Sequence, residues 1–521
     1  MSSFITCAEV ADLMATDRLF AVFDVRERGE YNECQIPNTT SVPRSQIEFR
    51  IKQLVPNPNV PIVVYDDADG RAPLAAKTLN RLGYNQISIL DGGLTSWRNE
   101  GRSIVSGVNV PSKAFGERVH HERNVPDMSA EELHRLQQEH EDIRILDVRT
   151  PEEYSRFCIP GGVNVAGGDL VLWTDELEAS NATVVVNCAG RTRSIIGTAA
   201  LRRLGLKNVR ALKNGTMGWV LAGYELEKNP TRTAPPAPRG SRGKALSLAL
   251  KVAAEENIPW ISSQQLSRAL ASKTDGVMYL IDVRSERERE SGYIAGSINV
   301  PGGQAVQRAD DFVPVRNAQV VFISNESARA VMTAYWYRQM GFPKASVLRG
   351  GLRAWSESGE TLVSEALQNE SLGFAAAKRN ARSIDARDLE RKLRESSTLV
   401  LDVGTSLEFE SAHLPGAKWI SRGWIELKLP EKFPDRTQPI VVTCPDGQQS
   451  IFAARALAEI GYTDIAVLNG GVRAWSAAEL PMEHGLETCL VPTNDVVLSP
   501  SIRGDKEDMQ RYLDWELKLQ R

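Results

Sequence analysis

The sequence predicts an α/β protein of four tandem domains, each a central parallel sheet flanked by helices. Three observations lead there. An apolar strand-like run enters a loop four times, at Val63–Asp66, Val185–Cys188, Phe322–Ser324 and Val441–Cys444. The loop-leading positions 66, 188, 324 and 444 are separated by 122, 136 and 120 residues, which is a period of whole domains; a solenoid repeats every ~20–50 residues. Within each copy, short β-rich runs alternate with helical segments, the pattern of a parallel sheet covered on both faces. The 521 residues are too many for one core and suit three or four domains.

Each copy opens on a helix start. Thr6, Ser129, Ser262 and Asp385 are N-cap residues, and Glu9, Glu132 and Gln265 complete capping boxes in three of the four. An apolar strand then ends in Asp24, Asp147, Asp282 or Asp402. Two residues on stand Arg26, Arg149 and Arg284, with Gly404 in the fourth copy, and six residues after each Asp comes Glu30, Glu153, Glu288 or Glu408. Because this set recurs in copies that lack a cysteine, Asp147, Arg149 and Glu153 read as ion-pairing and capping groups rather than acid–base machinery. A turn and short strand follow, clearest over Gly292–Pro301 and Ala412–Ala417. The Asp-to-loop distance is 42, 41, 42 and 42 residues, so the four cores are nearly isometric. After the loop, a helix closes at Gly83, Gly205, Gly341 or Gly461. A last strand ends at Gly92-Gly93, Asn214-Gly215, Gly350-Gly351 or Gly470-Gly471. Four residues beyond lie Trp97, Trp219, Trp355 and Trp475, whose rings suit burial at a sheet–helix junction.

The domains are expected at 1–110, 124–228, 257–365 and 380–484. Residues 229–256 form a Pro/Gly-rich linker and helix, and 485–521 a tail with a helix carrying Met509, Tyr512, Leu513 and Leu517 at helical spacing. That helix is expected to dock on a domain as a structural element. The linker divides the chain into two pairs, copies one with two and three with four, each with its cysteine copy second.

A net charge of −4 gives no argument for nucleic acid or a membrane surface as partner, so any anion site must be built locally. No apolar run approaches ~20 residues, and the N-terminus lacks a basic and an apolar signal region, which reads as a cytoplasmic protein. The six cysteines contain no C-x-x-C pair and the six histidines no zinc signature; His120 and His121 fall in a charged stretch, 116–123, that reads as solvated linker. Cys7, Cys34, Cys158 and Cys489 read as small hydrophobes.

The chemistry gathers at the loop-leading positions Asp66, Cys188, Ser324 and Cys444, followed five residues later by Arg71, Arg193, Arg329 and Gln449. In copy two, Cys188-Ala189-Gly190-Arg191-Thr192-Arg193 leaves a strand and enters a helix. A thiol there faces backbone N–H groups and two guanidinium groups, which together favour a thiolate and can hold an oxyanion donor. Arg191 and Arg193 are the expected donor anchors. Asp66 and Ser324 offer no thiol at that place.

The order Asp-Val-Arg, Glu-Tyr, Ile-Pro-Gly, Cys-x4-Arg, Asn-Gly and Trp, seen whole in copy two, resembles the rhodanese family of sulfurtransferases, and the resemblance covers nearly the whole chain. It implies a cysteine that cycles through a persulfide without a cofactor. Cys188 matches the catalytic cysteine, and Ala189, Gly190, Arg191, Thr192 and Arg193 match its loop. Cys444 matches the cysteine position and is a possible second catalytic residue; there Gln449 replaces the loop arginine, Asp446 adds negative charge and Gly404 replaces the Asp-x-Arg arginine. Four residues separate Cys188 from Arg193, one fewer than in the cysteine phosphatases that share this fold, which argues for a persulfide over a phosphate ester. The loop also lacks the Cys-Gly-Ser/Thr-Gly-Val-Thr sequence typical of the 3-mercaptopyruvate branch, which favours thiosulfate or another small sulfane donor, with a thiol, cyanide or a protein as acceptor. The alternative reading is a sulfur-relay or docking scaffold, since two of the four copies carry no thiol at the loop.

Overall fold

The computed structural model describes residues 3–272, 276–364, 371–395 and 397–519. Each copy forms a five-stranded sheet in the same spatial order: first, last, central, second and third strand. In copy two these are Asp127–Met128, Val209–Leu212, Thr183–Asn187, Ile143–Asp147 and Val163–Asn164, all parallel. Val184, Val185 and Val186 are fully buried although successive side chains point to opposite faces, so helices cover both sides of the sheet. The chain leaves Ile143–Asp147 toward one edge and returns across it to Thr183–Asn187. The strand order therefore reverses between those two strands, where parallel sheets open a crevice at their carboxyl ends. Cys188 is the first residue beyond that central strand.

Two of the three expected capping boxes form. Thr6 and Ser262 complete capping boxes, whereas Ser129 accepts from the Glu132 amide while the Glu132 carboxylate turns away to Arg210. Gly83, Gly205, Gly341 and Gly461 all take the left-handed conformation, with φ of 95°, 104°, 94° and 94°, which stops each helix without a Cβ penalty. All four Trp rings are buried, and each indole N–H donates to a carbonyl six residues on, at Ser103, Glu225, Thr361 and Pro481.

The expected pairing of neighbouring copies is wrong. One compact unit contains residues 1–108 and 367–497, that is copies one and four; the other contains 109–366 and 498–521, copies two and three with the C-terminal helix. The reason lies in the linker. Its second half is the helix Arg239–Glu255, whose Ala245, Ala249, Val252 and Ala253 are buried where it packs against Thr174–Ala179 of copy two and Ala328–Gln339 of copy three. The same two copies meet backbone to backbone at Gly167–Gly168 and Gly302–Gly303, where a Cβ on Gly168 would lie 2.9 Å from the Gly302 nitrogen, and Arg329 pairs with Asp169 at 2.6 Å. In the other unit, Arg422 pairs with Glu48 at 2.7 Å, and Glu27 accepts the Ser421 hydroxyl at 2.6 Å.

The stretch read as solvated linker is also corrected. It belongs to the helix Val110–Glu122, which packs on Thr192–Arg203 of copy two and buries Phe115, Glu117 and Val119, the Phe115 ring standing edge-on to Trp336 of copy three; His121 is exposed and His120 half-buried, 3.4 Å from Asp127. Among the described residues, no helix is long and apolar enough to cross a membrane.

Candidate active site

The glycine that ends each closing turn positions the loop. A Cβ on Gly93, Gly215, Gly351 or Gly471 would fall 2.3, 2.2, 2.1 or 2.0 Å from the carbonyl oxygen of Asp66, Cys188, Ser324 or Cys444. With no Cβ there, the next amide reaches that carbonyl: Leu94 to Asp66, Thr216 to Cys188, Leu352 to Ser324 and Val472 to Cys444, at 2.8–3.2 Å. The loop-leading residue is thus tied to the last helix of its own copy.

Copy one displays what the loop amides do. The Asp66 carboxylate accepts the backbone N–H of Ala68, Gly70 and Ala72 at 2.9, 3.1 and 2.8 Å. The loop is an anion cradle filled by its own side chain. By position, the amides of Gly190, Thr192 and Ser194 correspond to them in copy two, where the loop turns differently: Ala68 and Gly70 are left-handed, at φ 62° and 96°, and Gly190 and Thr192 are not. In copy three the Ser324 hydroxyl occupies that place, buried and without a hydrogen-bond partner among the described residues.

Cys188 is 2% exposed, and its thiol donates to the Ser194 hydroxyl at 3.5 Å, which in turn donates to the Arg191 carbonyl at 2.8 Å. Both expected anchors are engaged by protein. Arg193 makes two bonds to Glu153, at 2.6 and 2.7 Å; burial works against that carboxylate, yet Arg193 and the Thr150 amide bring it down to about 2. Arg191 gives two N–H groups to the buried Glu117 and a third to Asn214. The guanidinium groups therefore hold the loop in shape. Asp147 likewise pairs with Arg149 at 2.7 Å, and Glu153 closes a capping box with Thr150, as their recurrence suggests.

Sequence reading missed Glu117, Asn214 and Glu516 as part of this site. Asn214 left a signal: the other copies have glycine at that left-handed position, and only copy two has a side chain able to reach its loop arginine. Glu117 left none beyond an acidic residue in a stretch that turns out helical. The C-terminal helix Lys506–Lys518 docks on copy two as expected, but over the loop itself: Met509 and Leu513 pack on Met217, and the Glu516 carboxylate accepts the Thr192 hydroxyl at 2.6 Å.

Copy four is built differently. Glu30, Glu153 and Glu288 each pair with the loop arginine of their copy, while Gln449 leaves Glu408 capping Thr405 alone. An outside arginine, Arg422, approaches Gln449 at 2.7 Å. Cys444 is buried at a cavity of about 320 Å³ that also borders Glu27, Ser45, Arg422, Asp446 and Arg473. Burial pushes its thiol up, with Asp446 and Asp402 adding to the effect against the Ser450 amide and hydroxyl.

With Gly404 in place of an arginine, the buried Asp402 carboxyl is pushed up by burial to about 7, lowered only by the Gly404 amide. A carboxyl raised in the folded state costs stability once the unfolded chain ionises above its ordinary pKa near 4, and the cost is complete above pH 7. Asp402→Asn is therefore expected to stabilise the chain by about 3–4 kcal/mol at pH 8 and by nearly nothing at pH 4. Urea melts of both chains at the two pH values measure this; an equal effect at both would show that the carboxyl is not held neutral.

Set beside known proteins, the chain matches the rhodanese-like domain family four times, over residues 6–100, 129–222, 262–358 and 385–478. It is 33% identical over 86 residues to the thiosulfate sulfurtransferase GlpE of Pseudoalteromonas translucida, covering 16% of this chain and 80% of that protein. It is 24% identical over 225 residues to the 3-mercaptopyruvate sulfurtransferase of Escherichia coli, covering 38% of this chain and 77% of that one. The crystal structure of a thiosulfate sulfurtransferase from Pseudomonas aeruginosa superposes with a TM-score of 0.92 at 37% identity, over 99% of this chain and 97% of that one. The four matches fall on the four sheets and their loops, and this chain belongs to the rhodanese-like domain family.

Proposed function

We propose that the protein is a sulfurtransferase in which Cys188 takes the outer sulfur of thiosulfate and passes it to a thiophilic acceptor. The observation that carries this reading is the place of the Cys188 thiol in a loop whose counterpart amides in copy one close on a carboxylate. A thiolate is an anion at that position, and the persulfide formed from it carries the same charge one S–S bond further out. In the first half-reaction the Cys188 thiolate attacks the sulfane sulfur; a new S–S bond forms, the S–S bond of thiosulfate breaks, and sulfite leaves with the electron pair. In the second, a nucleophile such as cyanide or a thiolate attacks the outer sulfur of the persulfide, and the Cys188 thiolate is released into the cradle.

The loop Cys188–Arg193 favours thiosulfate over 3-mercaptopyruvate, although proteins named for either donor are among the relatives. Cys444 is the candidate for a second, slower site, given its cavity and its raised thiol. Peptide mass spectrometry after incubation with thiosulfate tests the assignment. The expected result is a gain of one sulfur on the Cys188 peptide, removed by cyanide. A gain on the Cys444 peptide alone would move the reaction to copy four, and a gain on neither would favour a scaffold.

A further inference from the structure

In copy two the C-terminal helix lies in a groove with three walls: the helix Val110–Glu122, the loop after Cys188 and the closing helix Gly215–Leu221. Lys113 of the first wall stands over the Tyr512 and Trp515 rings, at 4.8 and 4.7 Å. A Cβ on Gly190 of the second would meet the Tyr512 ring at 3.5 Å, and Met217 of the third packs on Met509 and Leu513. Glu117, fully buried in the first wall, holds Arg191 of the loop.

Copy three builds the same three walls with different chemistry. Its preceding helix, Arg239–Glu255, stops as Val110–Glu122 does, at a left-handed asparagine followed by an apolar residue and a proline; φ is 50° at Asn257 and 45° at Asn124. The two helices therefore correspond residue for residue, which puts Leu246 at the place of Lys113 and Leu250 at that of Glu117. The closing helix Gly351–Glu357 puts Arg353 at the place of Met217. All three border one open cavity of about 980 Å³, together with Glu326 and Ser327 of the loop. The Glu117–Arg191 pair of copy two has become Leu250 and Ser327, and Leu250 is left 45% exposed.

The rest of the lining is cationic. Arg239, Arg242 and Arg349 border the cavity and pair with no carboxylate among the described residues; Arg349 lies over the Trp260 ring at 5.4 Å. Arg353 reaches only the exposed Glu357, at 3.5 Å, and Glu326 is already held by Arg329. We propose that this groove of copy three is a docking site for an amphipathic, acidic helix of a partner protein, held as copy two holds the C-terminal helix of this chain. Copy two shows that the three walls accept a helix. The two leucines offer an apolar strip to one face of it, and the guanidinium groups call for carboxylates beside that face. A small anion would use the arginines and leave the leucines in water. The proposal is independent of the reaction at Cys188.

The test uses the full chain and two labelled synthetic peptides of about 18 residues, long enough to form a helix. Both carry leucines at helical spacing, flanked in one by glutamates and in the other by lysines. Fluorescence anisotropy is expected to show saturable binding of the acidic peptide, about tenfold or more tighter than the basic one and weakening with salt. Leu250→Glu, which restores the residue type of copy two, is expected to weaken it about tenfold or more, and so is Arg242→Glu combined with Arg349→Glu. All three side chains are exposed, so melting temperatures should stay near that of the unaltered chain. Should Leu250→Glu fail to fold, the arginine variant carries the comparison. Equal affinity for the two peptides, no saturable binding of the acidic one, or an affinity unmoved by the variants overturns the proposal. So does a dimer in sedimentation velocity that Leu250→Glu converts to monomer, since the occupant would then be a second copy of this chain.

Discussion

Replacing Cys188 by serine is expected to lower turnover of thiosulfate and cyanide to thiocyanate by about 10³-fold or more, because the step lost is formation of the covalent intermediate itself. The substitution is nearly isosteric, so the cradle, the Ser194 contact and the two arginine–glutamate pairs survive, and the loss reports chemistry rather than folding. The chain already contains this replacement once: Ser324 stands at the same place in copy three, with its hydroxyl buried and without a hydrogen-bond partner among the described residues. An alkoxide is far less accessible than a thiolate at neutral pH, and an oxygen cannot hold and release a sulfane sulfur. Cys444→Ser is expected to lower turnover less than twofold, since burial, Asp446 and Asp402 all oppose ionisation of that thiol. If Cys188→Ser instead keeps most of the activity and Cys444→Ser removes it, copy four is the working site. Measuring thiocyanate with the two single variants and the double variant separates these outcomes.

The fold was legible because it is written four times. A capping residue, a strand ending in Asp, a loop, a helix stopped by a left-handed glycine and a buried Trp each depend on contacts within one copy, and each recurs at nearly fixed spacing. The Cys188 loop was legible for the same reason, since three other copies show what is constant and what is special at residues 188–193. The partners of that loop were not. Glu117 lies 74 residues before Arg191, and Glu516 lies 324 residues after Thr192, on helices outside the repeating pattern. Nor was the pairing of the copies legible. The Pro- and Gly-rich composition of residues 233–243 resembles a boundary, yet the helix that follows buries its alanines between copies two and three. Which copies join is decided by surface complementarity, such as Gly168 against Gly302 or Arg422 against Glu48, and such matches have no periodicity to reveal them.

Gly215→Ala is expected to cost about 10²-fold in kcat/KM for thiosulfate while leaving Cys188 chemically intact, since a shift of about 1 Å in a reacting group has effects of that size. The added Cβ would stand 2.2 Å from the Cys188 carbonyl oxygen and 2.8 Å from that of Gly190, and both are backbone atoms that cannot swing aside. The residue also sits at φ 54°, where any side chain adds strain of about 1–2 kcal/mol. Relief requires the loop to move off the last helix, breaking the contacts of the Thr216 and Met217 N–H groups with the carbonyls of Cys188 and Ala189 and shifting the thiol with them. Asn214→Ala provides the contrast, because the neighbouring position is also left-handed, at φ 62°, but faces no such carbonyl, and it removes only one of the three bonds held by Arg191. It should cost less than about tenfold. Comparing both variants for kcat/KM and for melting temperature distinguishes loss of loop position from general destabilisation. A Gly215→Ala protein with full activity would mean that the closing turn merely covers the loop, and that the cradle around Cys188 holds its shape without it.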